Sequence, residues 1–200
     1  MVRINMTENA ERCKNAGMTQ ETGGKGTGNI EMKALIVYYS LEGNTEYVVN
    51  RLKELTDADT LRLTPKKAYH DKGFRKFFWG GKSAVMGDAP ALEVYDTDLS
   101  AYDRIVFGFP VWAFTFAPPL RTFIVDNATA LAGKTFAAFA CQGGTGAEKA
   151  FVKLAKCIGI ESFEFTAAFN EPKAKPDSAK DAAIAEFAES LNTSGAKTAE

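Results

Sequence analysis

Apolar residues in this chain fall into two repeating patterns, short continuous runs and stripes spaced by three and four, and the two alternate from residue 34 onward. The run Ala34 to Tyr39 is apolar on both faces, as a central parallel strand must be when helices cover both sides of its sheet. Val48, Leu52 and Leu55 follow at helical spacing. Further strands are predicted at Thr60 to Leu63, Arg104 to Phe109, Thr135 to Ala140 and Phe163 to Phe169. Between them, Leu120, Phe123 and Ile124 follow a Pro118-Pro119 helix start. Ala147, Ala150, Phe151, Leu154, Ala155 and Ile158 make one long stripe, and Ile184, Phe187, Ala188 and Leu191 make another. Strands separated by helices argue for an α/β fold, a doubly wound five-stranded parallel sheet in the order 2-1-3-4-5 with helices on both faces. In such a sheet ligands gather at the carboxyl edge, beside the first and third strands.

Three loops at that edge carry the candidate chemistry. The first, Ser40, Leu41, Glu42, Gly43, Asn44 and Thr45, is polar and opens directly into a helix, whose free N-terminal amides make an anion site. It has one glycine where a dinucleotide GxGxxG loop has three, and it lacks the Gly-Lys-Ser/Thr ending of a Walker loop. Backbone amides and the Ser40 and Thr45 hydroxyls remain to enclose a terminal monophosphate without any lysine. The same residue types also serve as ordinary helix N-caps, and that reading stands beside the first. The second loop, Pro110, Val111, Trp112, Ala113, Phe114 and Thr115, continues to Phe116 and Ala117, so a tryptophan and two phenylalanines crowd one turn. Aromatics in a loop at the ligand edge suit a flat ring system; packing beneath the loop itself is the alternative. The third loop runs from Cys141 and Gln142 through Gly143 and Gly144 to Gly146, where glycines let backbone approach a ligand closely.

Length and composition bound these readings. At 200 residues and 46% hydrophobic content the chain buries one core, and 15 Phe argue against disorder for most of it. A net charge of −1 gives no basic face for nucleic acid. Cys13, Cys141 and Cys157 are odd in number and scattered, without a CxxC pair, which suggests neither a disulfide framework nor a metal site and fits a reducing cytoplasm. No run reaches the length of a membrane span. Residues 1–31 are polar, glycine-rich and aperiodic, and are expected to be a disordered leader, with Met32 as an alternative start. The domain is expected over 32–192 and a disordered tail over 193–200.

The segment SLEGNT is similar to the Ser/Thr-x-Thr-Gly-x-Thr phosphate loop of the flavodoxin family, which holds the phosphate of FMN, and FGFPVWAFTFAPPLRTFI resembles the Gly-x-Pro-Val-Trp segment of its short-chain branch. The resemblance covers Lys33 to about Asn192 and implies a flavodoxin-like fold with FMN as cofactor. It places the phosphate on Ser40 to Thr45 and the flavin ring between Pro110–Thr115 and Cys141–Gly146, whose amides and carbonyls meet the pyrimidine edge. Two other families that share this architecture fail on their own residues. A low-molecular-weight phosphatase needs Arg six positions after its Cys, where Cys141 has Ala147; a receiver domain needs an Asp closing its third strand, where this chain has Phe107, Gly108 and Phe109.

An FMN protein of this kind acts either as an electron carrier to a redox partner protein or as an NAD(P)H-dependent reductase of a quinone or other small acceptor. Carriers are typically acidic, yet the leader holds four basic and four acidic residues, leaving 20 against 21. Carriers also commonly place a glycine after the third strand, where a peptide flip stabilises the one-electron-reduced flavin, and Trp112, Ala113 and Phe114 offer none. No motif marks a nicotinamide site, so the carrier is the first reading, the reductase the second and a flavin-free binding role the third. Glu42 stands where the family favours Thr, and its side chain is expected to face solvent. Cys141 is expected to be a small residue against the flavin rather than a reactive thiol, and His70 a surface residue. The segment Pro65 to Gly87 holds six basic residues against one acid, interleaved with Phe74, Phe77, Phe78 and Trp79. It reads as a solvated face or as an amphipathic helix near the flavin edge that docks an acidic partner or an NADPH phosphate.

Overall fold

Strand β1 (Ala34–Tyr38) lies inside a five-stranded sheet, with β2 (Asp59–Arg62) at the edge on one side and β3 (Arg104–Pro110), β4 (Thr135–Gln142) and β5 (Phe165–Asn170) on the other. The order is β2-β1-β3-β4-β5 and every pairing is parallel, as the alternation of strand and helix patterns predicts. The computed structural model describes residues 32–67, 87, 89–174 and 177–192. The leader 1–31, the tail 193–200 and nearly all of the basic aromatic segment, His70 included, lie outside the described residues.

Among the described residues, five α-helices connect or flank the strands: α1 (Asn44–Leu55), α2 (Pro118–Asp126), the single turn α3 (Ala128–Leu131), α4 (Ala147–Ile158) and α5 (Ser178–Asn192). Local chemistry sets their ends. Pro118 and Pro119 start α2, where the missing N–H groups cost no helical bond. Gly159, at φ 88°, stops α4 and lets the amides of Gly159 and Ile160 both reach the Ala155 carbonyl. Thr56 ends α1 by donating both its amide and its hydroxyl to the Leu52 carbonyl.

Because successive strand residues point to opposite faces, the apolar runs divide into two cores. Leu35, Val37, Ile105, Phe107, Phe109, Ala138 and Ala140 pack beneath α2 and α4. Ile36, Tyr38, Val106, Ala137, Phe139, Cys141 and Phe169 pack beneath α1 and α5, whose Ile184, Phe187, Ala188 and Leu191 are all buried as their stripe predicts. One buried charge crosses the second core: Arg104 pairs with Glu164 at 2.9 Å and donates to the Leu191 carbonyl near the end of α5.

Two strand boundaries differ from expectation by two residues and the others by at most one. Strand β4 runs on through Cys141 and Gln142, which pair with Phe169 and Asn170 of β5, so the expected loop contracts to residues 143–146. Strand β5 begins at Phe165 rather than Phe163, whose ring turns onto Phe151 at 6.4 Å.

Candidate functional site

All three loops singled out from the sequence emerge at the carboxyl ends of β1, β3 and β4, at one edge of the sheet. In the first, Gly43 takes φ 88°, a left-handed conformation that a side chain would strain, and its carbonyl accepts the Tyr47 amide as the first bond of α1. Gly43 has no side chain to cap the helix, and Ser40 does so instead: its Oγ accepts the Glu46 amide at 3.3 Å. Thr45 is 1% exposed, and its Oγ1 has no hydrogen-bond partner among the described residues. The Cys141 thiol lies within its reach, and sulfur is a weak acceptor, so the hydroxyl is under-satisfied rather than free. Leu41 packs against the first core and Glu42 is exposed, as expected of it.

The second loop is a tight turn. Trp112 and Thr115 exchange amide-to-carbonyl bonds at 2.9 and 3.0 Å, which forces the two residues between them to positive φ: Ala113 at 49° and Phe114 at 60°. A turn of this hand normally takes Gly, Asn or Asp, and non-glycine residues there store strain of about 1–3 kcal/mol each. The aromatics part company around it. Phe116 turns inward to Phe109 at 6.4 Å and belongs to the core, contrary to the expectation that both phenylalanines line a ligand. Trp112 stands edge-on against Tyr39, centroids 5.7 Å apart at 83°, and Phe114 is 52% exposed at the rim. Pro110 and Val111 remain in strand register, Pro110 as the last residue of β3 and Val111 through its amide to the Cys141 carbonyl.

The second and third loops touch. Gly146, at φ 120°, is the point of contact: a methyl there would stand 2.9 Å from Phe114 Cδ1 and 3.2 Å from Val111 Cγ1. Gln142 lends its Oε1 to the Ala147 amide at 2.9 Å, capping α4, while Gly143 and Gly144 stay exposed. Lys149, one turn into α4, lies over the Phe114 ring at 5.4 Å. Cys141 is a strand residue with its side chain in the second core. Burial pushes its thiol up to about 12, against a smaller opposing effect of the Thr45 hydroxyl beside it, so it is no thiolate nucleophile.

A fourth loop, which sequence reasoning missed, follows β5. The Glu171 amide donates to the Gln142 carbonyl at 3.1 Å, Pro172 is buried, and the Lys173 amide donates to Asn44 Oδ1 at 3.1 Å. The segment therefore bridges the third loop to the first, with Glu171 held at φ 42°. The one available signal was its place at the carboxyl end of a strand; its sequence, Asn170-Glu171-Pro172-Lys173, reads as an ordinary turn. No group of three or more metal-ligating side chains occurs among the described residues, and no helix among them is long and apolar enough to cross a membrane.

A family model described as flavodoxin matches residues 33–179. No curated protein matches the chain. Among solved structures, it is similar to a putative flavoprotein from Bacteroides eggerthii, at 20% identity over 82% of this chain and 99% of that one, TM-score 0.63. A flavoprotein from Lactobacillus acidophilus in complex with FMN matches at 20% identity over 72% of this chain and 96% of that one, TM-score 0.60. The two-electron reduced flavodoxin of Megasphaera elsdenii matches at 21% over 80% and 98%, TM-score 0.51. At these identities the structural matches speak for the fold.

Proposed function

The chain belongs to the flavodoxin family, and from that premise we propose that it binds FMN at this edge and serves as an electron carrier. The observation that carries the proposal is the loop between β1 and α1: a left-handed Gly43 and a Ser40-capped first turn, with the buried Thr45 hydroxyl, which has no oxygen or nitrogen partner among the described residues, beside the Cys141 thiol. These residues fit a phosphate monoester, which offers acceptors to the Thr45 hydroxyl and to the first-turn amides.

In this reading Ser40 to Thr45 hold the phosphate. The Trp112–Thr115 turn and residues Cys141, Gln142, Gly143, Gly144 and Gly146 flank the ring, Cys141 through its backbone alone because its side chain is in the core. FMN supplies the reversible uptake of one or two electrons, and the protein orients it and sets its surroundings. Trp112, braced edge-on by Tyr39, shields one side of the site from water. Val111, with its amide fixed to the Cys141 carbonyl, and Phe114, packed on Gly146, keep the second and third loops at a fixed separation. The turn holds Ala113 and Phe114 at positive φ without the glycine that carriers commonly place there. Phe114 at the rim, with Lys149 over it, gives a redox partner protein or a small acceptor its approach. Free thiols at Cys141 and Cys157 are compatible with the reducing cytoplasm in which we place it.

Stepwise anaerobic reduction of the FMN-loaded protein, followed by absorbance, tests the role. A long-wavelength band that rises and then decays is the expected result. Direct bleaching that NADH or NADPH drives unaided would overturn the carrier in favour of a two-electron reductase, and a folded protein that refuses FMN would overturn both.

A further inference from the structure

The Ser40–Thr45 loop contains no basic residue, and its family pattern asks for none. The fold nevertheless delivers one. Lys173, 130 positions away from Gly43 in sequence, lays its side chain along that glycine: a methyl on Gly43 would stand 2.7 Å from Lys173 Nζ, 3.4 Å from Cδ and 3.6 Å from Cε. The absence of a Gly43 side chain is thus what admits the lysine stem, a second use for a residue already required by its positive φ.

The placement is anchored rather than incidental. The Lys173 amide is bonded to Asn44 Oδ1, the first side chain of α1, two positions upstream the Glu171 amide is bonded to the Gln142 carbonyl, and Pro172 between them is buried. No ion pair engages Lys173 among the described residues, although Glu46, Glu54 and Asp181 on the neighbouring helices are paired with arginines. An exposed ammonium held beside Gly43, at the N-terminus of α1, is an arrangement that repels cations and attracts a dianion.

Resting on the FMN reading above, we propose that Lys173 is a phosphate-binding residue of this site, supplied by the loop after β5, and that it makes the chain discriminate FMN from unphosphorylated riboflavin. The helix terminus contributes roughly half a positive charge and the phosphate carries nearly two negative ones; Lys173 supplies a full charge toward that deficit. Because the lysine is exposed, its contribution is screened by salt.

The test is a pair of titrations, FMN and riboflavin, read by quenching of flavin fluorescence for the unsubstituted protein, Lys173→Met and Lys173→Arg. Lys173→Met is expected to weaken FMN binding about two- to fivefold at low salt, the range of an exposed ion pair. The difference should shrink at high salt, riboflavin affinity should not change, and Lys173→Arg should retain most of the FMN affinity. The phosphorus resonance of bound FMN is expected to shift in Lys173→Met. Equal FMN affinity in all three proteins, or equal losses for FMN and riboflavin, would overturn the assignment of Lys173 while leaving the cofactor reading intact. Failure of the unsubstituted protein to take up FMN would overturn the cofactor reading and this assignment with it.

Discussion

Gly108 sits in the middle of β3, opposite Tyr38 on one side and Phe139 on the other. The Phe139 ring lies across the face that a side chain at Gly108 would occupy. A methyl there would stand 2.4 Å from Cζ, 2.7 Å from Cε1 and 3.1 Å from Cε2, all inside van der Waals contact. The ring has no room to withdraw: it is 0% exposed, with Phe169 centred 6.2 Å away and Phe187 6.1 Å away. Overpacking of this kind costs roughly 1–3 kcal/mol, and a ring confined on several sides belongs at the upper end, about 3 kcal/mol. Replacing a strand glycine also recovers about 0.5–1 kcal/mol of backbone entropy. The clash wins, and Gly108→Ala is expected to destabilise by about 2 kcal/mol. In urea that corresponds to a midpoint lowered by about 1 M for a slope near 2 kcal/mol/M, read by far-ultraviolet circular dichroism. Phe139→Leu removes the obstructing ring at a cost of about 1.5 kcal/mol. The double variant should therefore be more stable than the sum of the two losses predicts, with a coupling of about 1–2 kcal/mol. A Gly108→Ala protein within about 0.5 kcal/mol of the parent, or strictly additive losses in the cycle, would refute this account of why the position is glycine.

The strained turn makes the opposite kind of prediction: Ala113→Gly, by relieving φ 49°, should stabilise by about 1 kcal/mol and raise the melting temperature by about 3 °C, and a lower melting temperature would count against the strain. The Cys141 thiol, pushed up by burial to about 12 from 9.0, predicts an alkaline limit. Its folded-state value is raised, so its contribution to stability is fully present below about pH 9 and is lost as the pH climbs through the window between 9 and 12. In a Cys13→Ser, Cys157→Ser background, stability should fall by about 1.4 kcal/mol per pH unit above 9 relative to the same protein carrying Cys141→Ala. Parallel pH profiles for the two proteins would show that the thiol ionises freely and that its burial is overstated.

Much of this architecture is written locally. The doubly apolar runs at β1 and β3 require cover on both faces, the proline pair requires a helix start at Pro118, and the stripe of α5 buries the four residues whose spacing marks it. Such features depend on the period of the side chains and on turn chemistry, both of which act over a few residues. The three loops of the candidate site were legible for the same reason, since each is the polar or glycine-rich break between a strand and the helix that follows. Their internal conformations were not. Nothing in Trp112-Ala113-Phe114-Thr115 announces two left-handed residues, because the reciprocal Trp112–Thr115 bonds that impose them form only when the ends of the turn are held together by β3 and α2. The direction of Phe116 into the core, and the extension of β4 through Cys141, were decided by pairing across the sheet, where a neighbouring strand supplies the partner groups. The placement of Lys173 is the clearest case. That an ammonium lies along Gly43 depends on α5 packing beside α1 and on the loop after β5 crossing to Asn44, a contact between residues far apart in the chain that no local pattern encodes.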